Sequence, residues 1–424
     1  MDLIPFLSAE QVRHIQNTYG TPVYVYDQQT LEDQADCVLD FPNAYGLIAR
    51  YAMKACPSGA VLRVLTDRGL HIDASSGYEV ERALKAGVEP DKIQLTTQQI
   101  PDNIGELLDR GCRFNACSLA QIEAVGEARP GSDIAIRINP GLGSGHSNRT
   151  NVGGPAASFG IWHEYMQEAL SIAARHDLTV HRMHTHIGSG SNPEVWERVA
   201  LMSLEICSRI EGANSLSLGG GYKVGRLKGE VSTDLQKIGL HIVEVFRAHA
   251  QKHGQELELE VEPGTYLVAN ACALLSSAVD VVDTGEGGYR FIKVDTGMTE
   301  LLRPSLYGAQ HPIEVVPVEE GERPHVEYIV AGHCCESGDV ITPAPDDPEG
   351  LETRFLTETR IGDAVVIGGA GAYCSGMSAK NYNSFPEASE IMQMKDGSFE
   401  LIRKRQTLDQ VLQNEVLPDA LLDV

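Results

Sequence analysis

Between residues 44 and 264, short apolar segments alternate with amphipathic helical patterns, and the alternation occurs eight times. Intervening segments such as GYEVERALKAG and YMQEALSIAARH have the periodicity of helices. Repeated strand–helix units of this kind favour an α/β fold built as a (β/α)8 barrel. A doubly wound open sheet is the alternative that the pattern leaves open. The segments that predict strands are YGLIARYAMK, LHIDASS, KIQLTTQ, RFNACS, IAIRINPG, VHRMHTHIG, SLSLGGG and LELEVEPG.

The pattern changes after about residue 277. AVDVVD, YRFIKVDTG, VEYIVAG, DAVVIG and EIMQM predict strands with few helices between them, whereas PAPDDPEG predicts a loop rich in turns. A chain of 424 residues exceeds what one hydrophobic core usually serves. We therefore expect an N-terminal segment (1–40) that packs with the β-domain, a barrel (41–276) and a C-terminal β-domain (277–424).

The charge of the chain limits its partners. It has 34 basic and 59 acidic residues and a formal net charge of −25. This excess of negative charge repels phosphate backbones and anionic lipid surfaces, so we expect neither a nucleic-acid partner nor a membrane partner. No stretch approaches the roughly 18 apolar residues of a membrane span, and the N-terminus lacks the basic and apolar regions of a signal peptide. These features predict a cytoplasmic protein.

The cysteine pattern favours neither a disulfide scaffold nor a metal site. The chain has nine cysteines, an odd number without framework spacing. Cys334 and Cys335 are adjacent rather than spaced as C-x-x-C, and no second pair matches them. We therefore expect no metal.

Polar side chains stand where the predicted barrel strands end. In barrels of this class the chemistry gathers at the C-terminal ends of the strands. Taken singly, each such residue has an ordinary explanation: a lysine is usually a solvated strand end, and three glycines usually form a tight turn. The residues at these ends are Lys54, Asp73, Ser75, Ser76, Asn139, His184, His186, Gly219 to Gly221 and Glu262.

As a set, the strand ends fit one phosphorylated cofactor, pyridoxal phosphate. The amine of Lys54 suits a Schiff base with the cofactor aldehyde, and the carboxylate of Glu262 suits the pyridine nitrogen. Gly219 to Gly221 leave backbone N–H groups open to a phosphate. His186 is placed to lie flat on the ring, although a lone histidine is more often a packed core residue.

The ordered motifs of the chain resemble those of the fold-type III pyridoxal-phosphate decarboxylases, most closely the branch that acts on meso-diaminopimelate. The similarity spans residues 20 to 407 and implies an alanine-racemase-type barrel followed by a C-terminal β-barrel domain. The motifs that carry it are YAMKAC, DASSGYEVERAL, INPGLGSGHSNRTNVGG, HTHIGSG, SLGGGY, EPG, VDTGMTELLRPSLYGAQH, CCESGD and GAYCSGMS.

The resemblance implies a role for each matching residue. Cofactor contacts are implied for Lys54, His186, Ser189, Gly219, Gly220, Gly221, Glu262 and Tyr373. Substrate contacts are implied for Arg303, Tyr307, Glu336 and Tyr373. The family's general acid corresponds to Cys335, and in the family this cysteine and the neighbouring glutamate reach the site from the partner subunit of a homodimer.

A thiol at Cys335 suits general acid catalysis. After CO2 leaves, the substrate carbon needs a proton from a group whose pKa lies near neutrality. Free cysteine is also among the most buried residue types, which offers a simpler explanation. Burial alone, however, does not call for the Glu-Ser-Gly-Asp that follows. If this segment is extended, Cys334 points the opposite way.

Two positions depart from the family pattern. Thr265 follows EPG where the family has arginine, and Phe385 precedes a proline where the family again has arginine. The first arginine contacts the far carboxylate of the substrate, so one bidentate clamp is missing. Arg303 remains.

The function that the resemblance implies is decarboxylation of meso-2,6-diaminopimelate at its D-centre to give L-lysine and CO2. A D-lysine or D-ornithine decarboxylase of the same family is the alternative that the loss of arginine at position 265 favours. A racemase is disfavoured because CCESGD belongs to the decarboxylases. A cofactor-binding regulator without turnover is disfavoured because the chain keeps Lys54 and Cys335.

Overall fold

The computed structural model describes residues 6–141, 153–186, 190, 192–319 and 321–421. The chain divides into two compact units. The barrel unit comprises Thr30–Gly225 and Glu230–Val268, and the β-unit comprises Met1–Gln29, Arg226–Gly229 and Ala269–Val424. The domain limits at residues 40 and 276 drawn from the sequence stay a prediction.

The described residues form twenty strands. Their bounds are β1 (Val23–Asp27), β2 (Leu47–Ala52), β3 (His71–Ala74), β4 (Ile93–Thr96), β5 (Arg113–Ala116), β6 (Asp133–Asn139), β7 (Ile161–Trp162), β8 (Thr179–His184), β9 (Ser215–Ser217), β10 (Glu258–Val261), β11 (Cys272–Asp283), β12 (Arg290–Val294), β13 (Ile313–Val316), β14 (His325–Ala331), β15 (Pro343–Ala344), β16 (Asp347–Leu351), β17 (Arg354–Thr357), β18 (Ala364–Ile367), β19 (Ser389–Gln393) and β20 (Phe399–Arg403).

The same residues form twelve α-helices. Their bounds are α1 (Ala9–Tyr19), α2 (Gln28–Leu39), α3 (Gly59–Asp67), α4 (Gly77–Lys85), α5 (Ile104–Asp109), α6 (Leu119–Ala128), α7 (Met166–Arg175), α8 (Pro193–Cys207), α9 (Leu235–His253), α10 (Thr265–Val268), α11 (Arg303–Tyr307) and α12 (Leu408–Leu412).

Eight parallel strands of the barrel unit close on themselves. The order is β2, β3, β4, β5, β6, β8, β9 and β10, and β10 pairs back with β2. The short β7 pairs with the C-terminal end of β6. This closed order confirms the predicted (β/α)8 barrel and rules out the open sheet. Six of the eight strands lie within the segments that the sequence pattern predicts, and β6 and β8 each begin one residue earlier.

Serine side chains at two strand–helix turns of the barrel unit cap the helices that follow. Ser76, just after β3, accepts a hydrogen bond from the backbone N–H of Glu79 and so caps α4. Val80 and Ala83 then face the core one helical turn apart. Ser118 caps α6 in the same way. Each parallel strand therefore leads directly into a helix that returns the chain to the start of the next strand.

The β-unit is built on a nine-stranded sheet. Its main path runs β17, β14, β12, β11, β1, β19 and β20, while β18 pairs with β11 and with β13. The long β11 pairs antiparallel with β1, β12 and β18, which makes it the centre of the sheet. One face packs against α1 through a core that contains Val12, Ile15, Val25, Leu275 and Val366. This sheet confirms the predicted mostly β second domain.

One prediction in the β-unit is wrong. PAPDDPEG, expected to be a loop, forms the short hairpin of β15 and β16. Asp346 has φ 60° at its turn, where a short polar side chain tolerates the left-handed conformation. In the described ranges, no helix is long and apolar enough to cross a membrane.

Candidate active site

Lys54 lies in the first turn after β2. The turn Met53–Ala55 is a single 3-10 turn in which Met53 and Ala55 are buried while the lysine is exposed. Burial of the two neighbours directs the ammonium group out of the core. Its positive charge acts on the carboxyl groups of Asp73 and Glu79, so the amine lies close to the end of the next strand.

Glu262 follows β10 and is buried, with 7% of its surface exposed. Its Oε2 lies 3.0 Å from His184 Nε2, and its Oε1 accepts a hydrogen bond of 3.0 Å from the Ser217 hydroxyl. Burial acts to raise the pKa of Glu262, but His184 and Ser217 outweigh it and hold the pKa well below its usual value. The carboxylate is therefore charged at neutral pH.

Backbone contacts bring the lysine and the glutamate to the same end of the barrel. Ala52, two residues before Lys54, donates its N–H to the carbonyl of Pro263, one residue after Glu262, at 3.1 Å. The two strands are direct neighbours in the barrel. Both functional groups thus stand where neighbouring strands end, as predicted from the sequence.

Asp73, at the end of β3, is a second buried carboxyl beside this pair. Burial, and then the charge of Glu262, raise its pKa to about 7, although Lys54 and a hydrogen bond of 2.7 Å from the Thr96 hydroxyl act in the opposite direction. The two carboxyls differ because Glu262 has the histidine beside it. Glu262 carries the negative charge, and Asp73 takes up a proton near neutral pH.

A buried polar network continues below the strand ends, and the sequence interpretation missed it. The amide of Gln94 donates to Glu262 Oε1 at 3.4 Å, and its oxygen accepts from Arg182 at 2.7 Å. Deeper still, Arg50 pairs with Glu260 at 3.1 Å. A signal was present, because Glu260 and Glu262 alternate along β10 and its end, and alternate residues of a strand face the same side.

His186 contacts the glycine segment rather than solvent. Its Nδ1 accepts a hydrogen bond of 2.9 Å from the N–H of Gly220. Desolvation, and then the nearby positive charge of Arg137, lower the pKa of His186 well below its usual value. The ring is parallel to that of His184, with 6.4 Å between centroids and 14° between planes. A neutral flat ring at this position suits stacking on an aromatic cofactor.

Gly219 and Gly220 are required by space more than by open N–H groups, and Gly221 has a φ of 104°, which favours glycine. A Cβ at Gly219 would lie 2.2 Å from His186 Nδ1, and one at Gly220 would lie 2.1 Å from the carbonyl oxygen of Glu262. Gly219 donates its N–H to Ser217 and Gly220 donates to His186. The expectation of three unobstructed N–H groups is therefore wrong for Gly219 and Gly220.

Cys335 lies in the β-unit, in the loop after β14. Its side chain is exposed, and its N–H donates to Asn383 Oδ1 at 2.8 Å. Cys334 is half-buried, and burial, followed by the charge of Asp339, raises the pKa of its thiol to about 12. The adjacent cysteines thus differ in exposure, and the raised pKa of Cys334 makes its thiol less reactive, which favours Cys335 as the reactive thiol.

Asp339 organises the cysteine loop. Its carboxylate accepts backbone hydrogen bonds from Cys334 at 2.8 Å and from Met298 at 2.6 Å. A Cβ at Gly297 or at Gly332 would lie 2.3 or 2.2 Å from the same carboxylate. The aspartate that ends CCESGD therefore has a structural role, and both glycines permit its close approach.

The residues with implied substrate contacts also lie in the β-unit. Arg303 and Tyr307 begin and end α11, and Gly308 stops this helix with φ 63°. Glu336 is exposed, and its carboxylate accepts the N–H of Gly338 at 3.1 Å. Tyr373 is half-buried with φ 57°. Ser189, a predicted cofactor contact, lies outside the described residues.

The two departures from the family pattern differ in what replaces the arginine. Phe385 stacks on His333, with 3.7 Å between ring centroids and 8° between planes, and so packs against the start of the cysteine loop. Thr265 opens the four-residue helix α10 directly after Pro263 and Gly264. An aromatic contact accounts for Phe385, whereas nothing in the described contacts explains Thr265.

Comparison with known proteins identifies the family. A family model described as the pyridoxal binding domain of the pyridoxal-dependent decarboxylases matches residues 36–269. The diaminopimelate decarboxylase of Escherichia coli (strain K12) is 34% identical over 421 residues, which cover 97% of each chain. A crystal structure of a diaminopimelate decarboxylase has a TM-score of 0.89 at 34% identity and 96% coverage of both chains. The chain belongs to the diaminopimelate decarboxylase family.

A member of the same family has been solved with a small molecule. The crystal structure of diaminopimelate decarboxylase from Helicobacter pylori complexed with L-lysine has a TM-score of 0.81 at 26% identity, with 94% of this chain and 98% of that chain covered. The family resemblance predicted from the sequence motifs is thus confirmed. The chain is a pyridoxal-phosphate-dependent decarboxylase.

The barrel unit fits the cofactor of the diaminopimelate decarboxylase family. Glycines stand at the two positions where any Cβ would collide with His186 or with the backbone of Glu262. A charged, buried carboxylate and an exposed lysine end neighbouring strands. An amine, a carboxylate and a flat neutral imidazole are the groups that a pyridoxal ring requires.

Proposed function

We propose that this enzyme decarboxylates meso-2,6-diaminopimelate at its D-centre and releases L-lysine and CO2, as a step of lysine biosynthesis in the cytoplasm. Family membership supports the reaction, and the lysine-bound relative from Helicobacter pylori supports the product. The observation that carries the proposal is the ionised Glu262 beside His184, at the strand next to that of Lys54. An electron-withdrawing cofactor with a protonated ring needs this arrangement.

The barrel residues hold the cofactor. When bound, pyridoxal phosphate supplies an electron sink conjugated to the α-carbon of the substrate. Lys54 would provide the amine for the cofactor, Glu262 would keep a proton on its ring nitrogen, and His186 would pack against its ring. As the family resemblance implies, Gly219 to Gly221, Ser189 and Tyr373 would contact the cofactor; the N–H groups of Gly219 and Gly220 already donate to Ser217 and His186, so these two glycines would contribute by making space.

Cys335 delivers the proton that replaces CO2. A thiol is a suitable general acid because it is mostly protonated at neutral pH and can still release its proton, and exposure keeps this thiol accessible. The hydrogen bond from its N–H to Asn383 fixes the backbone of the loop. Cys334 does not substitute for it, since its thiol is half-buried beside Asp339.

Arg303, Tyr307, Tyr373 and Glu336 bind the substrate. Arg303 holds the far carboxylate and Tyr307 adds a hydrogen bond to it, while Tyr373 and Glu336 make further contacts with the substrate. An unpaired carboxylate in a closed site costs several kcal/mol, so a positive partner is needed. With threonine at position 265, Arg303 carries most of this interaction.

The enzyme acts as a homodimer whose active sites are shared. In this proposal Cys335 and Glu336 act on the cofactor held by the partner subunit, as the family resemblance implies. Subunits of Lys54→Ala and of Cys335→Ala are each inactive alone. Mixed dimers contain one intact site, so mixing should restore up to about a quarter of the wild-type activity per chain, because half of the dimers are mixed and each has one of two sites intact. Mixed dimers that form and remain inactive would place the cysteine in its own chain's site.

Substrate choice tests the proposed function directly. The purified enzyme with pyridoxal phosphate is incubated with meso-diaminopimelate, D-lysine, D-ornithine or L-lysine, and CO2 release is measured. We expect the highest kcat/KM for meso-diaminopimelate, and Lys54→Ala serves as the matched inactive control. A higher kcat/KM for D-lysine or D-ornithine would reject the proposed substrate and make the enzyme a D-amino-acid decarboxylase, as Thr265 favours.

A further inference from the structure

His311 ends the motif RPSLYGAQH and is buried, with 1% of its surface exposed. Both of its ring nitrogens have partners: Nδ1 lies 2.9 Å from the carbonyl oxygen of Gly368, and Nε2 lies 2.9 Å from Arg303 Nη1. A carbonyl oxygen only accepts hydrogen bonds, so Nδ1 carries the hydrogen. The lone pair of a neutral imidazole is then on Nε2, which accepts from the guanidinium.

The surroundings keep this imidazole neutral. Burial, and then the positive charges of Arg303 and Arg226, hold the pKa of His311 well below its usual value. A protonated ring would lose its lone pair and repel Arg303. The backbone carbonyl of Gly368 thus selects the tautomer, and the two arginines suppress protonation.

Arg303 differs in its partner from two arginines that pair with carboxylates. Arg50 pairs with Glu260 and Arg323 pairs with Asp363, and both pairs are buried. Within the described part of the chain, Arg303 forms no ion pair with a carboxylate, and its guanidinium is held by His311. A neutral acceptor fixes the direction of the side chain without cancelling its charge.

We propose that His311 is a positioning residue that orients Arg303 for an anionic group, the far carboxylate of the substrate. The inference rests on the proposed function, in which Arg303 binds that carboxylate. It explains why a neutral imidazole, and not a carboxylate, stands behind the guanidinium. An acidic residue at position 311 would orient Arg303 equally well and neutralise the charge that the substrate needs.

Three substitutions of His311 distinguish the loss of the hydrogen-bond acceptor for Arg303 from the addition of a negative charge beside it. In His311→Gln the amide oxygen takes the place of Nε2 and keeps the acceptor for Arg303. In His311→Asn the shorter amide keeps the donor to Gly368 and loses that acceptor. His311→Glu keeps an acceptor and adds a negative charge. Thermal unfolding and cofactor absorbance of each purified holoenzyme show whether the fold and the cofactor site are retained.

For meso-diaminopimelate we expect the KM of His311→Gln to stay within about threefold of wild type. The KM of His311→Asn should rise about tenfold, since a hydrogen bond to a charged group is worth about that factor, and that of His311→Glu should rise further. The kcat of all three should change less than KM. Equal KM values for the Gln and Asn variants, or a fall in kcat with unchanged KM, would overturn the positioning role.

A second measurement does not depend on the substrate. Nitrogen NMR of holoenzyme labelled with 15N-histidine should show His311, assigned by its absence in His311→Gln, as a neutral ring with hydrogen on Nδ1. Arg303→Met should shift its Nε2 resonance. A ring with hydrogen on Nε2 rejects the inference whatever the substrate. If these signals appear and meso-diaminopimelate is not turned over, the proposed function fails and the positioning of Arg303 stands.

Discussion

The two units hold their functional groups in different ways. In the barrel unit Glu262 is buried at a strand end, and its position follows from strand register and from side chains inside the barrel. In the β-unit Cys335 is exposed on a loop, and its position follows from hydrogen bonds that loop residues make to one another. Under the proposed roles, the cofactor residues stand at the ends of barrel strands, whereas the proposed proton donor stands on a loop held by hydrogen bonds.

Backbone conformation follows the same division. The described residues include six non-glycine residues with positive φ, and five of them lie in the β-unit. Tyr373, Asn383 and Ser384 are three of the five, with φ between 50° and 61°. Such conformations cost about 1–3 kcal/mol each. The β-unit thus maintains strain around the residues assigned to the site, while the described part of the barrel unit has one such residue, Asp177, in the turn that precedes β8.

The largest expected effect comes from replacing one of the two adjacent cysteines, Cys335, and not the other. Cys335→Ala should lower kcat by about two to four orders of magnitude, the usual contribution of a general acid. Cys334→Ala is the matched control, because it removes a half-buried thiol beside Asp339, and kcat should stay within about threefold. Steady-state CO2 release measures both variants. Comparable losses in the two variants would mean that the loop fold, and not one thiol, matters.

The far carboxylate of the substrate should be bound mainly by the β-unit, through Arg303, and not by the barrel unit. Arg303→Met should raise the KM for meso-diaminopimelate by about one to two orders of magnitude, since a charge-assisted hydrogen bond contributes roughly 1.5–3 kcal/mol. Thr265→Arg restores in the barrel unit the residue that the family has there, and kcat/KM should be equal or higher. D-lysine, which lacks that carboxylate, is the control substrate. An equal loss for both substrates in Arg303→Met would contradict carboxylate binding by this arginine.

The sequence predicts the barrel unit better than the β-unit, for a physical reason. Lys54, His186 and Glu262 stand next to local signals, an apolar strand that ends and a helix that begins, and parallel strands bring such ends together. His311 and Asp339 act through partners far away in the chain, Gly368 and Met298, and no local pattern marks these contacts.

Even in the barrel, some details required the structure. The N–H groups of Gly219 and Gly220 donate to Ser217 and His186 inside the barrel. The sequence does not predict these hydrogen bonds, because they depend on strand register. The glycine pattern itself shows only that a close approach or a sharp turn is needed. The presence of glycine thus predicts that little space is available, but it does not predict which acceptor each backbone N–H group has.

The smallest expected effect concerns one buried carboxyl in each unit. In protein freed of cofactor, the pKa values of Asp73 and Glu300 are both raised to about 7, in each case first by burial. A raised pKa means that the folded state holds the proton more tightly than the unfolded state. Stability contributed by these groups is therefore full below pH 4 and is lost as the pH rises to about 7.

Asp73→Asn in the barrel unit and Glu300→Gln in the β-unit each remove one source of this loss of stability with rising pH. Each should raise the free energy of unfolding above pH 7 by about 2–4 kcal/mol, and the effect of each should be small near pH 4, where both carboxyls are protonated in the folded state and only partly ionised in the unfolded state. Adding Glu262→Gln should shrink the benefit of Asp73→Asn, because the charge of Glu262 is the second cause of the raised pKa of Asp73, and should leave Glu300→Gln unchanged. Calorimetric melting temperatures between pH 4 and 8 measure all of these variants. A benefit of Asp73→Asn that is constant with pH would show that this carboxyl does not titrate in the folded barrel, and would separate it from Glu300 in the β-unit.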